Sequence, residues 1–151
     1  MHIVLVEPEI PPNTGNIARL CAGINATLHL VQPLGFAITD REVRRAGLDY
    51  WDKVKIVLWD NLADFLAKNS KERLFFFSTK AKKLYTEIKY QPQDYLVFGK
   101  ETKGLPADLI CQNLERAVTI PLNPRHVRSL NLANSVAIAA YEALRQNDFV
   151  F

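Results

Sequence analysis

The residues best suited to chemistry lie late in the chain, in Ile120-Pro121-Leu122-Asn123-Pro124-Arg125-His126-Val127-Arg128-Ser129-Leu130-Asn131-Leu132-Ala133-Asn134-Ser135-Val136. Two prolines stiffen a polar loop that carries Arg125, His126 and Arg128. Ser129, Asn131, Asn134 and Ser135 then put four hydrogen-bonding side chains at the mouth of a helix, where unpaired backbone N–H groups already favour a ligand. The chemistry this suggests is the binding of a polar molecule. No Ser-His-Asp set can be argued, because His126 has no identifiable orienter. The same pattern also describes an ordinary C-terminal core helix.

Two further loops carry suitable residues: Asn13-Thr14-Gly15-Asn16, and Gly99-Lys100-Glu101-Thr102-Lys103-Gly104-Leu105-Pro106. Glycines 99 and 104 bracket a loop able to take unusual backbone angles, so that a ligand can lie against main-chain groups. Its alternative is a tight charged turn. Neither G-x-G-x-x-G nor G-x-x-x-x-G-K-[ST] occurs, which leaves an uncommon nucleotide pocket or none. His2, His29 and His126 lie in unrelated contexts without an acidic partner at ligand spacing, so no metal site is expected. Cys21 and Cys111 form no paired spacing, as expected of two free thiols in a reducing compartment.

Alternating strands and helices must position these loops. Strands are expected at His2 to Val6, Ala26 to Val31, Lys53 to Leu58, Arg73 to Ser78, Asp94 to Gly99 and Ala117 to Pro121. Helices are expected from about Gly15 to Gly23 with Asn13 or Thr14 as cap, from Asp40 to Gly47, Leu62 to Ala67, Pro106 to Gln112, and from Ser129 or Asn131 to about Arg145. Lys80, Lys82 and Lys83 read as a basic loop. The run Leu74-Phe75-Phe76-Phe77 is continuous rather than alternating, which marks a strand covered on both faces. The fold class that follows is α/β, a mainly parallel sheet with helices on both faces. In such a sheet the loops after the strands gather at one edge, where ligands bind. The last helix has an alanine face made of Ala133, Ala137, Ala140 and Ala143, suited to tight packing against a neighbour.

With 151 residues, 48% hydrophobic and 23% charged, the chain is expected to be a single domain, 1–151, with a proper core. Glu7 and Glu9 follow at once on a five-residue apolar run, unlike a signal peptide, and no apolar stretch approaches membrane-spanning length. A cytoplasmic protein without a membrane partner is expected. The formal charge of +3 and a pI near 8.9 are compatible with a polyanion partner without requiring one.

Over nearly its whole length the chain resembles the SPOUT class of RNA methyltransferases, and within it the small bacterial tRNA 2′-O-ribose methyltransferases that modify a wobble cytidine or uridine of leucine tRNAs. The resemblance lies in Glu7-Pro8-Glu9-Ile10-Pro11-Pro12-Asn13-Thr14-Gly15-Asn16 through Arg19, in Arg44-Arg45-Ala46-Gly47-Leu48-Asp49-Tyr50, in Phe98-Gly99 through Glu101-Thr102-Lys103-Gly104-Leu105-Pro106, and in Ile120-Pro121 with Arg128 to Val136. Lys100 stands where the family pattern has proline, and Leu130 where it has methionine. The resemblance implies a C-terminal trefoil knot, a homodimer, and S-adenosylmethionine as cofactor, released as S-adenosylhomocysteine. It places cofactor contacts on Phe77, Gly99, Ile120 and Ser129, with main-chain groups near Leu122 and Leu130 reading adenine.

The same resemblance puts Arg19 at the methyl-transfer step, on the partner subunit's cofactor. A guanidinium does not deprotonate in proteins, so Arg19 is read as a clamp on the phosphate and hydroxyl, the proton leaving through phosphate or water. Glu101 would orient Arg19, and Asn131 with Ser129 would shape the pocket floor. Arg19 with Glu101 could equally be a plain ion pair. Candidate phosphate contacts are Arg41, Arg44, Arg45, Lys80, Lys82, Lys83, Arg125 and Arg128. Tyr50, Trp51 and Tyr141 are stacking candidates that would serve as well in a core or dimer interface. Two other readings stay open: a ribosomal RNA 2′-O-methyltransferase of the same fold, and a non-catalytic RNA- or nucleotide-binding module.

Overall fold

The computed structural model describes residues 1–37, 50 and 53–151. Among them seven strands form one sheet: β1 (His2–Val6), β2 (Thr27–Val31), β3 (Ile56–Trp59), β4 (Leu74–Phe77), β5 (Lys83–Leu84), β6 (Tyr95–Phe98) and β7 (Ala117–Thr119). Their order is β3-β2-β1-β6-β4-β7-β5, and every pairing is parallel. The helices are α1 (Pro11–Gly23), α2 (Leu62–Lys68), α3 (Ala107–Gln112) and α4 (Leu132–Gln146).

The central strands read as continuous apolar runs because both faces are covered. In β1, Ile3 and Leu5 join one core cluster while Val4 and Val6 join the other; β4 divides in the same way, with Phe75 and Phe77 against Leu74 and Phe76. The first cluster packs under α1 and α4, the second under α2 and α3. Of the expected alanine face Ala140 and Ala143 are buried and Ala133 and Ala137 half-buried, while Ala139, not expected on it, is buried as well; α4 lies directly on α1. Small side chains allow that close approach.

Several boundaries differ from expectation for physical reasons. α1 starts at Pro11, not Gly15, because proline at the first helical positions forgoes an N–H that would have no partner anyway. Asn13 and Thr14 therefore do not cap this helix; both are buried within it, and the N-cap position falls on Ile10. β3 begins at Ile56 rather than Lys53. β7 stops at Thr119, before Pro121, which cannot donate to a ladder. Part of the expected basic loop forms the two-residue edge strand β5, paired with β7. Of the two starts offered for the last helix, Asn131 is the N-cap, its side chain accepting from the Asn134 N–H at 3.2 Å. The helix expected from Asp40 to Gly47, with Arg41, Arg44 and Arg45, lies outside the described residues, as does Trp51.

Candidate active site

Strands β1, β6, β4 and β7 are neighbours in the sheet, so the loops that leave their carboxyl ends must meet. The loop after β6 is shaped by its glycines. Gly104 takes a left-handed φ of 69°, its N–H donates to the Lys100 carbonyl at 2.8 Å, and the turn folds back over Gly99. A Cβ on Gly99 would stand 2.0 Å from the Gly104 carbonyl carbon, so no other residue fits without displacing the turn.

Carboxylates fasten this loop to the one after β1. Glu101 accepts from the Glu9 N–H at 2.8 Å, the Ile10 N–H at 3.2 Å and Asn13 Nδ2 at 3.0 Å. Reciprocally, Glu9 accepts from the Thr102 hydroxyl at 2.7 Å and its N–H at 3.2 Å, and these bonds hold the Glu9 carboxyl below the usual carboxylate range. Lys100 donates to Glu7 at 2.6 Å, which raises the lysine above its ordinary pKa.

The third loop joins through Asn13. A carboxylate only accepts, so the Asn13 amide nitrogen must face Glu101, and its oxygen is left to accept from Asn131 Nδ2 at 3.0 Å. The Asn131 oxygen in turn caps α4. Glu101, Asn13, Asn131 and the start of α4 thus form one directed chain of hydrogen bonds across three loops. Asn13 is 6% exposed, so its amide would be costly to leave unpaired.

Beside this chain lies a cleft of about 460 Å³, within the range of about 300–1,000 Å³ usual for small-molecule sites. Its lining includes Phe77, Gly99, Ile120, Leu122, Ser129 and Leu130, together with Glu101, Arg128 and Asn131. Phe77 stacks on Phe98, with centroids 4.5 Å apart, giving the cleft a rigid apolar wall. All six expected cofactor contacts therefore come together. The cleft offers what a nucleoside-like ligand requires: an apolar wall, a glycine that lets the main chain approach, and polar groups from Ser129 and Asn131.

The remaining candidates are placed elsewhere. Arg19 is exposed on α1, does not line the cleft, and holds its guanidinium 5.1 Å from the centre of the Tyr50 ring. The Glu101 carboxylate is engaged by the three N–H donors above instead of by Arg19. Tyr141 lies on α4, 49% exposed and outside the cleft. Arg41, Arg44 and Arg45 fall outside the described residues. The role of Asn13 as the link between loops was missed, because a buried asparagine in a first helical turn looks in sequence like a cap. Among the described residues, no group of three or more His, Cys, Asp or Glu could hold a metal ion, and no helix is long and apolar enough to cross a membrane.

Residues 1–141 match the model of the SpoU rRNA Methylase family. The chain is 46% identical over 147 residues to the tRNA (cytidine(34)-2′-O)-methyltransferase of Escherichia coli (strain K12), an alignment covering 97% of this chain and 93% of the relative. It superimposes with a TM-score of 0.92 and 44% identity on a solved structure that concerns 2-OH methylation of C/U34 on tRNA, covering 97% of this chain and 95% of that one. An AdoMet-bound rRNA methyltransferase from Sinorhizobium meliloti superimposes with a TM-score of 0.85 at 26% identity, covering 95% of this chain and 55% of that one. With the loop motifs, the all-parallel sheet and these likenesses in agreement, the chain belongs to the SpoU methylase family of RNA methyltransferases.

Proposed function

We propose that the chain methylates the ribose 2′-oxygen of the wobble nucleotide, cytidine or uridine 34, of leucine tRNAs, using S-adenosylmethionine, in the cytoplasm and as a homodimer of single-domain subunits with a C-terminal trefoil knot. The observation that carries this reading is the hydrogen-bonded chain from Glu101 through Asn13 to Asn131. It fixes three loops around one cleft that gathers all six cofactor contacts expected from the sequence. The tRNA relatives supply the substrate, and the AdoMet-bound neighbour supplies the cofactor.

Phe77, Gly99, Ile120, Leu122, Ser129 and Leu130 would hold the cofactor. When bound, S-adenosylmethionine supplies an electron-poor sulfonium methyl group and leaves as S-adenosylhomocysteine. The protein's part is positioning: fixing the acceptor ribose in line and managing the charge that develops on its oxygen. Arg19 suits this as a cationic fork that grips phosphate and hydroxyl, the proton passing to phosphate or water. Its exposed place outside its own chain's cleft supports action on the cleft of a second copy. Arg128, which lines the cleft, and Arg41, Arg44, Arg45 and Tyr141 are the proposed RNA contacts.

Incubating the purified protein with S-adenosylmethionine and under-modified tRNA, followed by nucleoside mass spectrometry, tests the reading. A new 2′-O-methylated cytidine or uridine mapped to position 34 of leucine tRNA supports it. Methylation only of ribosomal RNA would move the chain to the related rRNA activity, and cofactor binding without transfer to either RNA would contradict it.

A further inference from the structure

A second cavity, of about 290 Å³, lies against the far side of the loop that follows β6. Lys80, Lys100, Lys103, Gly104 and Leu105 line both this cavity and the larger cleft, so the segment 100–105 forms a common wall. We propose that this smaller cavity is an anion subsite that receives a backbone phosphodiester of the substrate RNA while the target ribose occupies the larger cleft. The inference rests on the RNA-methylating reading above.

Charge accounting carries the proposal. Among the described residues, three lysines and a single acid, Glu7, line the cavity. Glu7 is held in place: its backbone is left-handed, with φ 51°, its N–H closes on the Val31 carbonyl at 2.9 Å, and its carboxylate is bound by Lys100 at 2.6 Å. Lys100 and Glu7 therefore neutralise each other. The two other acids of these loops, Glu9 and Glu101, keep their charge in bonds to neutral donors, but neither lines this cavity. Lys80 and Lys103, both exposed, form no ion pair among the described residues. Among the described residues, Lys80 and Lys103 thus line a concave space whose one lining carboxylate is already bonded to Lys100. A phosphate, a compact anion rich in acceptors, is the complement to such a pair. The shared wall places the two cavities side by side, as a ribose and its neighbouring phosphate require.

The test compares the wild-type protein with the K80M/K103M double variant. Inorganic phosphate titrated into the wild type should shift the Gly104 amide resonance saturably, saturating tRNA should abolish any further response to phosphate, and the variant should not respond. The slope of log affinity for tRNA against log salt should fall by about one unit per lysine removed, with tRNA binding several-fold weaker. An unchanged slope, no response to phosphate, or a phosphate response undiminished at saturating tRNA would each overturn the inference. Failure of the functional reading shows separately, as absence of 2′-O-methylated product from the wild type, while the phosphate titration still judges the cavity.

Discussion

His29 Nε2 stands 2.9 Å from His2 Nδ1 at the amino-terminal edge of the sheet, opposite the cleft. The Trp59 indole N–H donates to His29 Nδ1 at 3.0 Å, which leaves Nε2–H to donate to His2, and His2 Nε2–H to donate to Gln93 Oε1 at 3.2 Å. The Trp59–His29 and His29–His2 links require both rings neutral, since a second proton on either would set two N–H groups against each other. Burial acts in the same direction, lowering His2 and taking His29 down to about 4.

Stability should therefore fall on acidification earlier than carboxylates alone would require. Both histidines have folded pKa values below the unfolded value of about 6.5, so below that pH the unfolded chain binds the extra protons. The stabilisation is complete above pH 7 and is lost as pH falls from about 6.5 toward 4, amounting to about 3 kcal/mol from His29. Urea unfolding midpoints across pH 7.5 to 4.5 measure it, and H29Q should flatten the profile. A wild-type profile already flat over that interval would refute the argument.

Asn13 gives the second prediction. N13A removes the link between Glu101 and Asn131, and should cost about 1–3 kcal/mol of stability while weakening cofactor binding. N13D has the same shape but sets a second carboxylate at about the 3.0 Å now spanned by a hydrogen bond to Glu101. It should be the worse of the two at pH 8 and recover toward pH 5, as one carboxyl takes up a proton. Equal losses for both variants at every pH would show that the link carries no electrostatic direction.

Glycines separate by their surroundings. G99A would drive a methyl into the Gly104 carbonyl and should reduce cofactor affinity at least about 100-fold, because the turn forming the cleft wall must move. At Gly23 an added Cβ meets nothing within 4 Å, so G23A should be neutral or gain about 0.5 kcal/mol from the stiffer unfolded chain. Calorimetric cofactor titration and thermal unfolding of the two proteins check the contrast.

The same contrast shows what a single sequence discloses. The sheet was legible because a strand covered on both faces must be apolar throughout, and Leu74 to Phe77 could be little else. The start of α1 was not, because Pro11 and Pro12 halt a helix from within yet suit its first turn, and sequence alone does not say which applies. The motif residues around the cleft were readable through resemblance. Their connections were not, since Asn13 and Glu101 lie 88 positions apart, Asn13 and Asn131 lie 118 apart, and nothing local in either loop names its partner.

Arg19 supplies the last prediction. It contributes nothing to its own chain's cleft lining, and its guanidinium rests over Tyr50 with no bond to Glu101. R19A should therefore leave cofactor affinity intact while methyl transfer falls by roughly 10²–10³, the loss usual when one preorganised charge is removed from a transition state. R19K should recover little of it, because an ammonium cannot grip phosphate and hydroxyl as a planar fork does. If Arg19 serves the cleft of a second copy, R19A and G99A subunits, each inactive alone, should complement when mixed. Every mixed dimer would hold one cleft with Gly99 and Arg19 both intact, so random exchange should restore about a quarter of the wild-type rate. Size-exclusion chromatography must first show both variants to be dimers. Given that, a mixture as inactive as its components would mean that Arg19 acts within its own subunit.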